Sequence, residues 1–156
     1  MQKKKVGVFS FTCCEGCTLV FMELLNKRFF EYRDEMQIEN FRALKKSDKI
    51  RKMDLAIIEG AISTASEKNK LLKIRKNAKA IMAIGSCANT GMPSSQRNFF
   101  DEAKKKQIQP LLEKLHQLKT IEPLKKYVKV DIQVNGCPIS RKELDNKIES
   151  YLKQVK

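Results

Sequence analysis

Short apolar runs alternate with helix-like segments along the chain, and this alternation restricts the fold more than any other feature. The runs are rich in β-branched and aromatic residues and are bounded by polar residues or glycine, as is typical of buried strands. Five strands are predicted in this way: Val6–Phe11, Ile38–Phe41, Asp54–Glu59, Ala80–Ile84 and Tyr127–Val134. Strands that alternate with helices form an open parallel sheet whose crossover helices cover both faces. The 156 residues therefore predict an α/β fold with a single domain over residues 1–156.

Helical patterns fill the segments between the predicted strands. We expect helices at Thr18–Arg33, Ser66–Asn77, Asn98–Leu118 and after Ser140. Ser66 and Ser140 are candidate N-caps, and Pro110 is expected to break the third helix. Two apolar helix faces are predicted: Leu111, Leu115 and Leu118 on the third helix, and Leu144, Ile148, Leu152 and Val155 on the last. The first helix begins apolar around nearly its whole circumference, so we expect a partner subunit to cover its outer side.

The chain is strongly basic, with 32 lysine and arginine residues against 18 acidic residues and a net charge of +14. The lysines are scattered, and no RNA-binding motif or zinc finger accompanies them, so a basic surface or an acidic partner protein explains them better than nucleic acid. No apolar run approaches the roughly 18–20 residues of a membrane span. The Lys3–Lys5 lead-in lacks the apolar run and cleavage site of a signal peptide, so we expect a cytoplasmic protein.

All five cysteines follow predicted strands. Cys13, Cys14 and Cys17 come after the first strand, Cys87 after the fourth and Cys137 after the fifth. Because the carboxyl ends of parallel strands lie at one edge of a sheet, where ligands bind, we expect these thiols to converge. The cytosol keeps thiols reduced, so metal or redox chemistry is a better interpretation than a disulfide framework.

The residues beside the cysteines suit a large inorganic group. Cys14 and Cys17 form a Cys-x-x-Cys pair, in which Gly16 allows close approach of the backbone. Glycine also precedes the two distant thiols, in the segments Gly85-Ser86-Cys87 and Gly136-Cys137-Pro138. These glycines leave room for a cluster and free backbone N–H groups toward its sulfurs, while the proline fixes the exit of the chain. Four thiolates are the standard ligands of a four-iron cluster.

Other kinds of site use the same residues. A Cys₄ site binds zinc equally well by ligand count, although structural zinc sites usually pair two Cys-x-x-Cys elements close in sequence. A thioredoxin-like motif accounts for Cys14 and Cys17 but leaves Cys87 and Cys137 unexplained. Cys13 points away from its neighbour if the backbone is extended. We interpret it as a non-ligating thiol under the loop, with a redox-active or alternative-ligand role as the second interpretation.

Four motifs follow one another through roughly residues 6–140. They are Phe11-Thr12-Cys13-Cys14-Glu15-Gly16-Cys17, Ile58-Glu59-Gly60-Ala61-Ile62-Ser63, Gly85-Ser86-Cys87-Ala88-Asn89-Thr90-Gly91 and Asn135-Gly136-Cys137-Pro138. Together they resemble the small subunit of [NiFe] hydrogenases and, more broadly, the related cluster-bearing subunit of respiratory complex I. The first motif is most similar to cytoplasmic hydrogenases of the sulfhydrogenase or methyl-viologen-reducing type.

The resemblance implies a flavodoxin-like domain that carries one proximal [4Fe–4S] cluster next to the active site of a larger partner. Its iron ligands, by motif, are Cys14, Cys17, Cys87 and Cys137. Residues expected near the cluster or at the subunit interface are Cys13, Glu15, Gly16, Glu59, Gly85, Gly136 and Pro138. For Glu59, capping of backbone N–H groups by a strand-end carboxylate is an equal interpretation. No cysteines follow Cys137, so we do not expect the C-terminal extension with further clusters.

The resemblance predicts an electron-relay subunit of a [NiFe] hydrogenase. Nickel and iron are expected in a separate large subunit, and a ferredoxin- or flavin-type subunit is a further expected carrier. The alternatives are a complex I-like oxidoreductase subunit without hydrogenase activity and, outside the family, a Cys₄ structural zinc domain. Complex I subunits use a tandem Cys-Cys, whereas this chain has both the tandem Cys13-Cys14 and the spaced pair. The spaced pair, together with Glu59-Gly60, favours the hydrogenase.

Overall fold

The computed structural model describes residues 3–44 and 49–154, and these residues form seven strands and six α-helices. The strands are β1 Lys4–Ser10, β2 Met36–Phe41, β3 Met53–Glu59, β4 Ile62–Thr64, β5 Ala78–Ile84, β6 Gln117–Glu122 and β7 Ile132–Val134. The helices are α1 Gly16–Lys27, α2 Phe29–Glu35, α3 Ala65–Asn77, α4 Gly85–Thr90, α5 Glu102–Lys114 and α6 Arg141–Gln154. Two short 3-10 helices lie before α5 and after β6: Gln96–Phe99 and Leu124–Lys126.

Five of the strands form one parallel sheet in the order β2-β1-β3-β5-β7. The central pair, β1 and β3, is aligned from Val6 opposite Leu55 to Ser10 opposite Glu59. Parallel neighbours need long crossover connections, and helices supply them on both faces of the sheet. The predicted α/β fold, an open parallel sheet with helices on both faces, is confirmed.

The central strands are apolar in long runs because helices cover both faces of the sheet. On one face, α1, α2 and α6 pack against side chains that include Val8, Leu55 and Ile57. On the other face, α3 and α4 pack against side chains that include Ile58 and Ile81. Full burial of a side chain of this size contributes about 1.5–3 kcal/mol relative to exposure. Burial on both sides thus explains why apolar residues occupy successive positions of a strand.

The predicted helix Thr18–Arg33 is two helices, because the chain leaves the helical conformation at Arg28 between α1 and α2. Arg28 has φ −112° and ψ 32°, although the segment contains neither proline nor glycine. Its guanidinium pairs with Asp145, 2.6 Å away, and with Glu149, both on α6. A contact with a helix so distant along the chain leaves no local pattern, and the prediction of one continuous helix is therefore wrong.

The predicted helix Asn98–Leu118 is shorter than expected, and its last residues form a strand. Pro110 lies inside α5 and does not end it. The chain turns at His116, which has a φ of 52°, into β6, and β6 pairs antiparallel with β4. Two leucines of the predicted stripe are exposed, Leu111 and Leu115. The predicted apolar helix face is therefore wrong. Leu118 lies not in the helix but in β6, which pairs with β4, and its side chain packs on the α3 side of the sheet.

Only Ile132–Val134 of the predicted strand Tyr127–Val134 forms a strand, β7. Before it, the chain turns, and the Val128 N–H donates a hydrogen bond to the Leu124 carbonyl at 3.1 Å. The alternating valines therefore do not share one face. Val128 packs in the core on the α3 side of the sheet, whereas Val134 packs in the core on the α1 side.

One of the two predicted helix caps is correct. Thr64, and not Ser66, caps α3: its side chain accepts a hydrogen bond from the Glu67 N–H, and the Glu67 carboxylate accepts one from the Thr64 N–H. At α6 the Ser140 hydroxyl oxygen accepts a hydrogen bond from the Glu143 N–H at 3.4 Å. That weak contact agrees with the predicted cap.

Two further expectations concern the helices, namely the predicted apolar face of α6 and the length of a membrane span. The predicted apolar face of α6 is buried at three positions, Leu144, Ile148 and Leu152. Val155, assigned to the same face, lies outside the described residues. Among the residues that the structure describes, none of the helices combines the length and the apolar character that a membrane span requires.

Candidate functional site

The cysteines lie beyond the carboxyl ends of three parallel strands. Cys13 and Cys14 follow β1, and Cys17 is in the first turn of α1. Cys87 is in α4, which begins directly after β5, and Cys137 follows β7. Because these strands are parallel members of one sheet, the loops after them share one edge. We refer to residues 11–17, 85–91 and 135–139 as the first, second and third cysteine loops.

Direct contacts join the three cysteine loops. A Cβ at Gly85 would lie 2.5 Å from Cys17 Sγ, so the start of the second loop touches a thiol of the first. The Gly136 carbonyl accepts hydrogen bonds from the Ser86 N–H at 2.8 Å and from the Ser86 hydroxyl at 3.1 Å, which join the second and third loops. A backbone hydrogen bond from Ile139 reaches Cys17 and joins the third loop to the first. The structure thus brings the predicted ligand loops together.

The predicted site residues differ in exposure. Two of the four predicted ligands, Cys17 and Cys87, are buried. The other two, Cys14 and Cys137, are exposed. Two other residues predicted near the cluster or interface, Glu15 and Pro138, are exposed as well. Leu19, two residues after the Cys-x-x-Cys pair, is 61% exposed. This edge therefore combines exposed thiols with one exposed large apolar side chain.

Cys13 has surroundings of its own. Its side chain is half-buried and packs against three others, Ala61, Cys87 and Ile121. Its Sγ lies 3.5 Å from the Phe11 carbonyl, to which the thiol donates a weak hydrogen bond. This environment agrees with a thiol packed under the loop. Because Cys13 also lies beside Cys87, mutagenesis must separate the roles of these two cysteines.

Burial raises the pKa of two of the thiols above its ordinary value. It raises the pKa of Cys13 from 9.0 to about 12, and the nearby Glu59 carboxylate adds to the rise. Burial also raises the pKa of Cys17 to about 11, although the backbone hydrogen bond from Ile139 opposes the rise. Metals bind the thiolate and not the thiol, so ligation by Cys17 must release a proton.

Glu59 ends β3 and caps the first turn of α1. It is 2% exposed, and its carboxylate accepts hydrogen bonds from the Cys17 N–H at 3.1 Å, the Thr18 N–H at 2.7 Å and the Thr18 hydroxyl at 2.6 Å. The N-cap residue itself, Glu15, has a left-handed backbone and an exposed side chain. The sheet therefore supplies the cap in place of the preceding residue. The capping interpretation of Glu59 is correct, and the cap also positions a predicted ligand.

The end of β3 also holds the start of the first cysteine loop. The Phe11 N–H donates to the Glu59 carbonyl at 2.9 Å, and Thr12 and Ala61 exchange two backbone hydrogen bonds of 3.1 and 2.9 Å. Gly60, with a φ of 97°, lies between these bonds, and a Cβ there would meet the Phe11 backbone at 2.8 Å. Glycine at position 60 is therefore required by a close approach of two backbone segments.

Asn89 is a buried polar residue that the sequence did not single out. Its Nδ2 lies 3.3 Å from the Ala83 carbonyl, 3.1 Å from the Gly85 carbonyl and 3.0 Å from the Val134 carbonyl. It thereby joins the ends of β5 and β7. An asparagine among small residues is the one signal in the sequence, and it does not reveal these partners.

Ser94 is a second residue that the sequence did not reveal. Its hydroxyl lies 3.3 Å from Cys87 Sγ and 3.1 Å from the Thr12 carbonyl. The hydroxyl has a single hydrogen, which it can donate either to the sulfur of this predicted ligand or to the carbonyl. No local pattern indicates the contact, because the serine follows that cysteine by seven residues in an irregular segment.

The residues at this edge fit a four-iron cluster. Across residues 3–44 and 49–154, no three Cys, His, Asp or Glu side chains lie close enough together to bind one ion. Thiolates that bind one zinc ion stand about 2.3 Å from it, whereas each thiolate of a four-iron cluster binds a different iron and the sulfurs stand farther apart. Three joined loops carry the four thiols that such a cluster takes as ligands, and Gly85 lacks the Cβ that would fill the space against Cys17.

The sequence is similar to subunits of known hydrogenases. The family described as NADH ubiquinone oxidoreductase, 20 Kd subunit, matches residues 14–151. Sulfhydrogenase 2 subunit delta of Pyrococcus furiosus is 27% identical over 143 residues, which are 90% of this chain and 58% of that protein. A subunit of the F420-non-reducing hydrogenase of Methanothermobacter thermautotrophicus is 25% identical over 153 residues, 88% of this chain and 49% of that protein. The chain thus spans about half the length of these relatives.

The fold is similar to chains of solved hydrogenases. A chain of an NAD⁺-reducing [NiFe]-hydrogenase in the H₂-reduced state gives a TM-score of 0.86 at 21% identity, with 98% of this chain and 93% of that chain covered. A chain of the Ni-Fe-Se hydrogenase of Desulfomicrobium baculatum gives 0.66 at 17% identity, with 99% and 63% covered. These two likenesses concern the fold. The family match covers most of the sequence, and the chain therefore belongs to the family of the NADH ubiquinone oxidoreductase 20 Kd subunit and the [NiFe] hydrogenase small subunits.

Proposed function

We propose that this chain is the electron-relay small subunit of a [NiFe] hydrogenase. It would hold one proximal [4Fe–4S] cluster on Cys14, Cys17, Cys87 and Cys137. The observation that carries the proposal is the contact among three cysteine loops at one edge of the sheet. Membership of the family and the hydrogenase names of two relatives support it. When bound, the cluster supplies one-electron transfer to or from a nickel–iron site on a separate large subunit.

The chain's own residues orient the ligands and shape the space between them. Glu59 holds the turn of α1 that contains Cys17, and glycine at position 85 keeps the space beside that thiol free of a side chain. The Ser94 hydroxyl reaches Cys87 Sγ, and hydrogen bonds to a ligating sulfur raise a cluster's reduction potential. The bond from Ile139 to Cys17 acts in the same direction.

We infer that the large subunit covers the edge of the sheet where the cysteines lie. Cys14 and Cys137 are exposed there, and Leu19 offers apolar surface for burial. Electrons would leave through a further carrier of the ferredoxin or flavin type, because the four proposed ligands serve one cluster. We place the complex in the cytoplasm.

Anaerobic co-purification tests the proposal. The tagged chain is expected to bring down a large subunit that contains nickel, and the complex should reduce methyl viologen under H₂. Cys14→Ser should lower the dye reduction strongly, while Cys13→Ser serves as the matched control at the neighbouring position and should retain most of it. A stable complex that contains no nickel and reduces no dye under H₂ would contradict the hydrogenase assignment.

A complex I-like oxidoreductase without hydrogenase activity is the second candidate. It is favoured by the description of the matched family as an NADH ubiquinone oxidoreductase subunit. The tandem Cys13-Cys14 also suits it. The same purification separates the two candidates, because this one predicts a large subunit without two Cys-x-x-Cys motifs and without nickel.

A further inference from the structure

We propose that Asn89 is a positioning residue that sets the spacing of the second and third cysteine loops, and thereby the spacing of Cys87 and Cys137. The inference rests on the proposed function, because it concerns two of the loops that would hold the cluster. Asn89 lies on α4, two residues after Cys87, and is 4% exposed. Its effect on the thiols would pass through the backbone of both loops.

The Asn89 amide joins two strand ends at the point where the loops begin. Two of its carbonyl partners belong to the chain at the end of β5, Ala83 at 3.3 Å and Gly85 at 3.1 Å. The third is Val134, the last residue of β7, at 3.0 Å. One side chain therefore spans from the base of the second loop to the base of the third.

The third loop needs such a link because β7 is weakly held. It is an edge strand of the described sheet and pairs with β5 at only three positions, the last of which is Ile84 opposite Val134. Past that pair, Ser86 donates two hydrogen bonds to the Gly136 carbonyl. Asn89 lies between the strand pairing and this contact. It continues the connection from the rigid sheet to the loops.

The orientation of the amide is determined by its surroundings. If the amide were turned, its oxygen would face the oxygens of Ala83, Gly85 and Val134, none of which can donate. In the orientation observed, Asn89 Oδ1 is buried and has no hydrogen-bond partner among the described residues. An unpaired buried acceptor costs free energy, so the two N–H donors, shared among the three carbonyls, must outweigh that cost. An apolar side chain could fill the space but would donate no hydrogen bond to these carbonyls.

Asn98 provides a matched control. Its amide donates to the Ile121 carbonyl at 2.8 Å and accepts from the Ile121 N–H at 2.9 Å, so it joins the 3-10 helix Gln96–Phe99 to β6. Asn98→Ala thus removes an asparagine that also bonds to backbone, but at a place outside the three cysteine loops. Asn98 bonds to the backbone of Ile121, whose side chain packs near Cys13 and Cys87 but belongs to neither the second nor the third loop. The variant should therefore lower the melting temperature without a specific effect on the spacing of those two loops.

The experiment compares the full-length wild type, Asn89→Ala and Asn98→Ala. Each chain is reconstituted anaerobically with iron and sulfide, and the rate of iron release to a chelator is measured together with the melting temperature. Hydrogen exchange over residues 134–139 is measured on the cluster-free chains. Asn89→Ala should release iron about tenfold faster and exchange faster, because it loses both N–H donors that the three carbonyls share. Asn98→Ala should change both rates less than about twofold at a similar loss of melting temperature.

The outcomes separate this inference from the proposed function. The inference alone would be overturned if Asn89→Ala released iron at the wild-type rate. It would also be overturned if Asn89→Ala and Asn98→Ala showed the same increase in iron release for the same loss of melting temperature. If Asn89→Ala does not fold, Asn89→Ser replaces it; one retained hydroxyl donor should give an intermediate rate, and a wild-type rate would overturn the inference. A wild-type chain that takes up no iron and sulfide overturns the proposed function instead, and the exchange measurement then still tests the link.

Discussion

The Glu59 carboxylate lies 2.6 Å from the Thr18 hydroxyl and 2.7 Å from the Thr18 N–H, across 41 positions of sequence. β3 thereby holds the first turn of α1, which also contains Cys17. A carboxylate at a helix N-terminus is favoured by the helix dipole and satisfies N–H groups that the helix leaves unpaired. One side chain of the sheet thus determines where a predicted ligand stands.

Replacement of that carboxylate should be costly. In Glu59→Gln one acceptor oxygen becomes an NH₂ group that faces N–H donors, so the free energy of unfolding should fall by about 1–3 kcal/mol. Urea unfolding of the cluster-free chain measures the change. Glu15→Gln is the control, since that side chain is exposed in the same loop and should change stability by less than about 0.5 kcal/mol. Equal stabilities of the two variants would contradict the capping role.

Two glycines of the cysteine loops should respond differently to alanine. A Cβ at Gly85 would lie 2.5 Å from Cys17 Sγ, and the φ of 84° disfavours any side chain. A Cβ at Gly16 would lie at an ordinary 3.4 Å from Cys14 Sγ. Gly85→Ala should therefore lower stability by roughly 1–3 kcal/mol and reduce iron uptake, whereas Gly16→Ala should take up iron nearly as the wild type does. Thermal unfolding and iron analysis compare them, and similar iron uptake by both variants would count against the close contact.

Neighbouring serines offer a test of the hydrogen bond to the Cys87 sulfur. Ser94→Ala removes the hydroxyl 3.3 Å from Cys87 Sγ, while Ser95→Ala removes a hydroxyl that lies 3.3 Å from Met92 Sδ instead. Loss of a donor to a ligating sulfur should lower the cluster's reduction potential. One hydrogen bond of about 0.5–1.5 kcal/mol corresponds to roughly 20–60 mV for a one-electron couple. Redox titration followed by EPR measures the potential. An unchanged value in Ser94→Ala, or the same decrease in Ser95→Ala, would rule out the role of this hydroxyl.

The parallel sheet could be predicted because its strands are buried on both faces and read as unbroken apolar runs. The interruption between α1 and α2 at Arg28 could not be predicted. It accompanies ion pairs with α6, and no glycine or proline nearby signals it. The same is true of the short β4–β6 pair, which draws Leu118 out of a helical pattern. Val128 and Val134 alternate as in one strand, yet a turn assigns them to opposite faces of the sheet. Local periodicity thus failed where a distant segment or a turn took residues out of the pattern.

The candidate site was predicted only in part. The positions of the cysteines after strands were readable, because parallel topology brings strand ends to one edge. The residues that hold those loops could not be predicted from the sequence. Asn89 and Ser94 contact backbone or sulfur atoms of other elements, and such contacts leave no local pattern. Glu59 was found, but its partner Thr18 was not, because the contact depends on how β3 and α1 meet in space.

Acid should weaken the link between α3 and β5 at Asp131. Burial tends to raise the pKa of Asp131, but the hydrogen bond from the Ile81 N–H at 2.8 Å and the Arg75 guanidinium at 2.6 Å hold that pKa below its usual 3.8. A depressed pKa means that the carboxylate stabilises the fold above pH 3.8 and that this contribution is lost as the pH falls through the folded-state value. Asp131→Asn should therefore lower the free energy of unfolding by about 1–3 kcal/mol at neutral pH and by less in strong acid. Urea unfolding at both pH values checks this, and a difference independent of pH would contradict it.

Iron, acid-labile sulfide and zinc, measured per chain after anaerobic purification, decide whether the four thiols hold a four-iron cluster. We expect about four iron and four sulfide in the wild type and in Cys13→Ser, with little zinc. Each of four variants should lose most of the iron and sulfide: Cys14→Ser, Cys17→Ser, Cys87→Ser and Cys137→Ser. Stoichiometric zinc without sulfide in the wild type would contradict the cluster. Complete loss of iron and sulfide in Cys13→Ser, with full iron and sulfide in Cys14→Ser, would show that Cys13 and not Cys14 is the ligand.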